Sequence, residues 1–470
     1  MKTKILRNTL LSLGVPFALA ATLPLQLAVQ GQAPNGPKYR KYKLIEVQPL
    51  GGTDSYQVAP LKNLNNRGES IAQSTTATPD PYCPNNCFSG DGLVTHPVVL
   101  QKNGILTDLG APAGVVATMN SGIPTWIDDN GLIEGLYENG LIDPLTGFPE
   151  FRAALWGKNG SAIDLGTLGV NSSQGNGVNS RGQVVGVALN AMPEDPNLTG
   201  PMYFGIPAAT QVRAFLWQNG AIQDLGTLGG NDANPLEINE SGQIAGYSYT
   251  DSTVNDSTGL PTTHPFLWEK GQMRDLGSLG GTLALPSRID FPGGQILNSH
   301  GQVAGTSTLA GDMVEHAFVW TGEMMRDLGT LGGNNSEGTS INDAGAVVGR
   351  SDVSPTSQFH HAFLWEHGTM TDLGVVAPCH NSTANDINAR GQVVGGFGRC
   401  TDNPDDLTFF SAFLWERGKP IVDLNTLVSP ATDLHLTDAA FINERGEIAG
   451  VGLLPNGETR AVLLVPLPGP

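Results

Sequence analysis

The chain writes one phrase eight times, and a chain built that way does not fold around a single continuous core. The phrase is a strand-like segment that ends in an Asn-x-x-Gly turn and resumes as a short Val/Ile run. Its copies are NNRGESIA from Asn65, DDNGLIEG from Asp128, NSRGQVVG from Asn179, NESGQIAG from Asn239, NSHGQVAG from Asn298, NDAGAVVG from Asn342, NARGQVVG from Asn388 and NERGEIAG from Asn443. Successive copies lie 44 to 63 residues apart, a period that belongs to arrays and propellers.

Two further phrases accompany it. One is AALWGKNG from Ala153, AFLWQNG from Ala214, PFLWEKG from Pro265, AFVWTG from Ala317, AFLWEHG from Ala362 and AFLWERG from Ala412, with weaker versions from Pro97 and Ala461. The other is x-D-L-G, with its acid at Asp108, Asp164, Asp224, Asp275, Asp327 and Asp372, at Asp423 as V-D-L-N, and at Glu46 in a variant form. The unit is therefore four strands: a (ending in I-N), b (Q-V-V-G), c (A-F-L-W) and d (x-x-D-L-G). The a-to-b link, Asn-x-x-Gly, has residues suited to turn positions with positive φ, and the c-to-d link is as short. Links of that length join antiparallel neighbours, so the unit is a meander.

Strands b and c are apolar almost without interruption, which requires cover on both faces of the sheet. No stretch keeps a 3.6-residue apolar period, which excludes a helical solenoid. Four-stranded sheets packed face to face around a ring meet both conditions. The chain opens with a lone d strand near residues 42–50 and closes with a, b and c strands that lack a d. The fold class expected is thus all-β, an eight-bladed β-propeller over residues 42–466, closed by the N-terminal strand pairing in the last blade. A blade cut that starts at strand c would close equally well. Gly 61 and Pro 32 with 7% aromatic residues suit such a turn-dense protein.

Lys2, Lys4 and Arg7 precede an apolar run over residues 10–20 with a small-x-small site at Ala18-Leu19-Ala20. This reads as a secretory signal peptide over residues 1–20, with cleavage as late as residue 33, followed by a linker to residue 41. No other segment is long and apolar enough to span a membrane. Cys83 and Cys87 enclose three residues in the b-to-c link of blade one. Cys379 and Cys400 are placed symmetrically about the turn at residues 388–391 of blade seven. Two disulfides, Cys83–Cys87 and Cys379–Cys400, are expected in an oxidising compartment. The spacing lacks the paired C-x-x-C knuckles of a zinc site.

The motifs His-Ala-Phe at residues 316–318 and 361–363, D-L-G-T-L-G-G and I-N-x-x-G-Q-V-V-G cover nearly all of the chain after residue 42. In these the chain resembles the HAF-repeat proteins, a bacterial, extracellular family. The resemblance implies export and a repeat architecture, and brings no activity, substrate, cofactor or catalytic residue. Blades one and eight depart from the pattern in having no Trp in strand c.

A meander sends the short turns to one face of the ring and the longer b-to-c links to the other. The longer links, residues 74–95, 137–150, 190–211, 250–263 and 401–408, form the expected working face. Asp143, Asp195, Asp402, Asp405 and Asp406 are its candidate ligand contacts. The last three lack the spacing of a calcium-wrapping loop. The formal charge of −19 becomes −22 without residues 1–20, which argues against nucleic acid as a partner. The once-per-blade acid of strand d solves a problem every blade shares. It is expected to accept hydrogen bonds from turn amides or from a nearby Ser, Thr or His. His96, His264, His316 and His361 precede strand c, where Arg152, Arg213 and Ser411 stand in other blades, so no common metal ring follows.

There is no nucleophile elbow, zinc-protease helix or phosphate-binding loop. The expected function is a monomeric binding or scaffold module for a glycan, peptide or cell-surface partner, with no cofactor. The other reading is a carbohydrate-active hydrolase or lyase whose carboxylates converge at the central opening from different blades.

Overall fold

The computed structural model describes residues 39–468 apart from 58–61, 84–86, 113, 116–119, 145–146, 158–160, 195–209, 287–293, 358, 399 and 401–409. The expected signal peptide, Asp195, Asp402, Asp405 and Asp406 lie outside the described residues. The strands form eight four-stranded antiparallel meanders, those of blades four and five being joined by one parallel bridge from Thr263 to Leu283. Blade two is typical, with Gly122–Ile127 as strand a, Ile133–Ile142 as b, Pro149–Trp156 as c and Ala162–Asp164 as d.

The last sheet settles where blades begin. Tyr42–Glu46 pairs antiparallel with Thr459–Pro466, Tyr42 opposite Pro466 and Glu46 opposite Val462, and Ile448–Leu453 and His435–Ile442 follow inward. The N-terminal strand is therefore the d strand of blade eight, and each blade runs a to d. In blades two and six strand a, Gly122–Ile127 and Ser336–Ile341, is buried along its length, whereas strand d of blade two is half exposed. This places strand a innermost.

The core lies between blades. Val185, Ala214 and Leu216 of blade three pack with Ile238, Ile244 and Phe266 of blade four. Phe215, Phe266, Phe318, Phe363 and Phe413, the Phe of each A-F-L-W phrase, are all fully buried. Burial of each such ring is worth about 1.5–3 kcal/mol, which explains why the phrase recurs. On the rim, Arg274 and Arg326 of strand d lie over Trp320 and Trp365 of the following blade, 4.8 and 5.1 Å from the ring centroids.

The Asn-x-x-Gly turn joins blade to blade. Expectation gave both its ends a positive φ, but only the glycine adopts one, at +71° to +81° in all eight copies. The Asn acts through its side chain. Oδ1 of Asn239 accepts from the amides of Ser241 and Gln243, while Nδ2 donates to the carbonyl of Asn298, the same position one blade on. Asn65, Asn179, Asn298, Asn342, Asn388 and Asn443 repeat this, reaching Asp128, Asn239, Asn342, Asn388, Asn443 and Asn65 at 2.9–3.1 Å. The relay thus returns to its first member. Blade two breaks it, because Asp128 has no amide to donate; there Asn130 Nδ2 reaches the carbonyl of Ser180 instead.

The b-to-c links are less loop-like than expected. In blades one to four the two strands stay paired past a register shift, to Pro79–Leu93, Ile142–Pro149, Pro193–Thr210 and Val254–Pro261. Much of residues 74–79, 137–142 and 250–254 is thus hairpin arm. Beyond the blade body no neighbouring sheet covers these arms, yet pairing still satisfies their amides and carbonyls. Both disulfides are formed. Cys83–Cys87 lies in the link of blade one, and Cys379–Cys400 clasps blade seven just beyond the facing pair Asn381 and Gly398.

Asp128→Asn supplies the missing donor and is expected to raise stability by about 1 kcal/mol, whereas Asn443→Ala at the closing link should lower it by about 1–3 kcal/mol. Urea unfolding of both variants checks this; equal effects of one sign would contradict the relay. Peptide mapping under non-reducing conditions should recover Cys379 linked to Cys400, and free thiols there would remove the clasp.

Candidate functional site

The acids of strand d are taken up by local bonds. Asp108, Asp275, Asp327 and Asp372 each face a His of strand c at 2.9 Å, and Asp164 and Asp224 face Arg152 and Arg213 at 3.2 and 3.1 Å. Each also accepts the amide of the glycine two residues on, as Asp275 does from Gly277 at 2.7 Å. Asp423 takes the amide of Asn425, and Ser411 turns instead to His435. Burial raises the carboxyls of Asp108, Asp275 and Asp372, but the His ring and the glycine amide outweigh it and hold all three below the usual range. The His-Ala-Phe and Asp-Leu-Gly phrases are thus the two halves of one bond between strands c and d.

A second set of acids, unremarked in the sequence, sits in the innermost strands. Glu237 of blade four and Asp386 of blade seven both stand two residues before the Asn of the turn, following a register shift in strand a. Glu237 Oε2 accepts the amides of Ile296 and Leu297 in blade five, at 2.8 and 3.1 Å. Asp386 accepts from Ile442 of blade eight at 2.9 Å and from Ser340 of blade six at 2.8 Å. Burial pushes Glu237 up to about 8 and Asp386 up to about 6. Burial is opposed in both by the charge of Lys62 of blade one.

These are carboxylates from different blades with displaced pKa values, but their oxygens already hold backbone amides of neighbouring blades. Blade five also reaches across, with the amide of Gly294 bonded to the carbonyl of Asn385 in blade seven at 2.8 Å. A Cβ at Gly294 would lie 2.0 Å from Asp386 Oδ1, so only glycine fits this approach. The acids nearest the axis staple blades together. The signal that could have found them is an acid directly before I-N, in a strand otherwise apolar or small.

The face of the b-to-c links carries three polar groupings. Between blades one and two, Ser121 donates its amide to Glu138 Oε2 at 2.7 Å and places its hydroxyl 3.4 Å from Asp80 Oδ2. Burial, opposed by that amide and reinforced by Asp80, pushes Glu138 up to about 8, and burial also raises Asp80. Between blades three and four, burial and the charge of Glu194 raise Asp232, which accepts the amide of Val212 at 2.7 Å. Asp143, the one expected ligand contact among the described residues, is buried at a hairpin tip, its amide on the carbonyl of Phe148.

The third grouping is a cleft of about 250 Å³ between blades five and six, lined by Glu315, Asn335, Glu337, Arg350, Asp352 and His360 among others. Arg350 Nη2 binds Glu337 Oε1 at 2.7 Å, and Asn335 gives its amide nitrogens, backbone and side-chain, to Asp352 Oδ2 at 3.1 and 2.9 Å. Asn335 Oδ1 in turn accepts the amide of Glu315 at 3.2 Å. Planar groups held in this way present donors and acceptors in fixed directions, which suits a hydroxyl-rich ligand. Among the described residues no three His, Cys, Asp or Glu side chains gather as a metal site, and no helix is long and apolar enough to cross a membrane. The two disulfides belong to an oxidising, non-cytoplasmic compartment.

No family model and no curated protein matches the chain. Among solved structures, the acylaminoacyl peptidase of Pyrococcus horikoshii is similar over 84% of this chain and 58% of its own, at 9% identity and a TM-score of 0.39. The chain therefore spans less than two thirds of that peptidase. The β-propeller domain of the Trilobed protease from Pyrococcus furiosus is similar over 68% of this chain and 98% of its own, at 11% identity and a TM-score of 0.29. A polysaccharide lyase of family PL25, an ulvan lyase, is similar over 81% and 98%, at 12% identity and a TM-score of 0.36. The architecture rests on the strand pairing itself, and such a fold suits a binding or an enzymatic propeller.

Glu237 binds its proton more tightly folded than unfolded, where the value is near 4.5, so the native state holds the extra proton between about pH 4.5 and 8. Stability should therefore fall as pH rises through that window. Urea unfolding at several pH values should show this slope, and Glu237→Gln should reduce it, with Glu138 and Asp232 supplying the remainder; an unchanged slope in the variant would assign the effect to those two.

Proposed function

We propose that the chain is an exported, non-catalytic propeller of the HAF-repeat kind that acts as a monomer and binds a glycan at the cleft between blades five and six. The observation that carries this reading is the division of the acids. Those of strand d, and Glu237 and Asp386 at the axis, are engaged by hydrogen bonds within and between blades. The cleft keeps Glu315, Asp352 and His360 partly exposed around the Arg350–Glu337 pair. A volume near 250 Å³ lies below the ~300–1,000 Å³ of typical small-molecule pockets, and so fits one sugar unit of a longer chain rather than a whole cofactor. The net negative charge favours a neutral or cationic glycan over an acidic one.

One observation favours the second reading, a carbohydrate-active hydrolase or lyase. Glu194 and Asp232 are carboxyl groups from neighbouring blades on the same face, and the charge of one raises the pKa of the other, as an acid and base pair requires.

A glycan array with the mature protein, followed by product analysis of whatever binds, separates the two. Capture without turnover, weakened about tenfold or more in His360→Ala, about 1.4 kcal/mol, supports the cleft. Cleavage that is lost in Asp232→Asn would replace this reading by the enzymatic one, and binding indifferent to His360 would move the site elsewhere.

A further inference from the structure

Asp80 directly follows the long strand b of blade one, which ends at Pro79, and Glu138 lies in strand b of blade two, so the two belong to neighbouring blades on the face of the b-to-c links. Glu138 has no exposed surface, and Asp80 is 5% exposed. Ser121, fully buried at the entry to strand a of blade two, touches both, through its amide to Glu138 Oε2 and its hydroxyl near Asp80 Oδ2. Asp80 Oδ1 takes the amide of Tyr82 at 2.9 Å. Glu138 Oε1 is buried and has no hydrogen-bond partner among the described residues. A buried carboxyl oxygen without a partner, beside a second carboxyl group and a hydroxyl, is one that either a proton or a cation can satisfy, and a cation bound there would displace the proton.

We infer that Asp80, Ser121 and Glu138 form a binding site for a hard divalent cation of the calcium type between blades one and two. All the atoms it offers are oxygens, which excludes a preference for softer metals. Two carboxylates would balance the charge of one such ion, and the hydroxyl and water would complete its shell. The segment that carries Asp80 is held in place without the ion. Its amide bonds to the carbonyl of Gly92 at 2.9 Å, its carbonyl accepts from Cys83 at 3.3 Å, and Cys83 is tied to Cys87. The small clasp at the tip of blade one thereby gains a purpose, since it fixes one ligand of the ion against its partner in the next blade. The site is separate from the cleft between blades five and six, and its existence does not depend on what that cleft binds.

The test is a titration of the mature protein, freed of metal by chelation, with Tb³⁺, whose luminescence is excited through nearby tyrosine; Tyr82 lies two residues from Asp80. Saturable luminescence, its displacement by Ca²⁺ at the ~10⁻⁴–10⁻³ M typical of extracellular modules, and a Ca²⁺-dependent rise in Tm are expected. Glu138→Gln, which keeps the shape and removes the charge, should weaken binding at least about tenfold and abolish the rise in Tm. Asp80→Asn should do the same, so that a folding failure of one variant leaves the other to decide. A wild-type protein whose Tm ignores Ca²⁺, or a luminescence signal untouched by both substitutions, overturns the site. His360→Ala is the control and should leave the signal intact.

Discussion

The relay of asparagine side chains is the interaction on which the arrangement of blades depends. A tight Asn-x-x-Gly turn leaves two amides without partners, and the Asn Oδ1 takes both. Its Nδ2 is then left pointing out of the turn, where it finds the carbonyl of the next blade. One residue thus answers a local need and a long-range one. Each link contributes only about 0.5–1.5 kcal/mol net, but the links form a circuit that Asn443 returns to Asn65. A sheet that lost its place in this order would leave buried polar groups on both neighbours, which costs more than the links themselves provide.

The acids of the protein separate by how their oxygens are satisfied rather than by where they fall in sequence. In strand d of blades one to six the acid meets a His or Arg and a glycine amide, a closed bond inside one blade. At the axis Glu237 and Asp386 accept amides from adjoining blades and are buried, so their displaced pKa values report stapling. On the face of the b-to-c links the bonds are less complete. Glu138 keeps an unpartnered oxygen, and the cleft at Arg350 keeps polar groups within reach of solvent. Both proposed sites therefore fall on the face that points away from the Asn-x-x-Gly turns.

Much of this was legible in the linear order of residues. The four-strand unit, the count of eight and the pairing of Tyr42–Glu46 with the last blade follow from phrases that recur in fixed order. The facing of Cys379 and Cys400 followed from their symmetry about one turn. The length of the b-to-c arms did not, because an arm beyond the blade body has no covered face and so carries no apolar pattern. Nor did the axial acids, because Glu237 in LEIN and Asp386 in NDIN are single departures from a repeat, and their partners lie in other blades.

The sequence by itself determined the unit and the number of units, since a repeated local pattern encodes the same hydrogen bonds each time it is written, while the cut between blades waited on the last sheet. The tertiary structure alone decided which side chains of different blades meet. Glu138 and Asp80 are 58 residues apart and Glu237 and Ile296 are 59 apart. Those meetings depend on the summed geometry of whole sheets packed edge to axis, and no spacing along the chain records it.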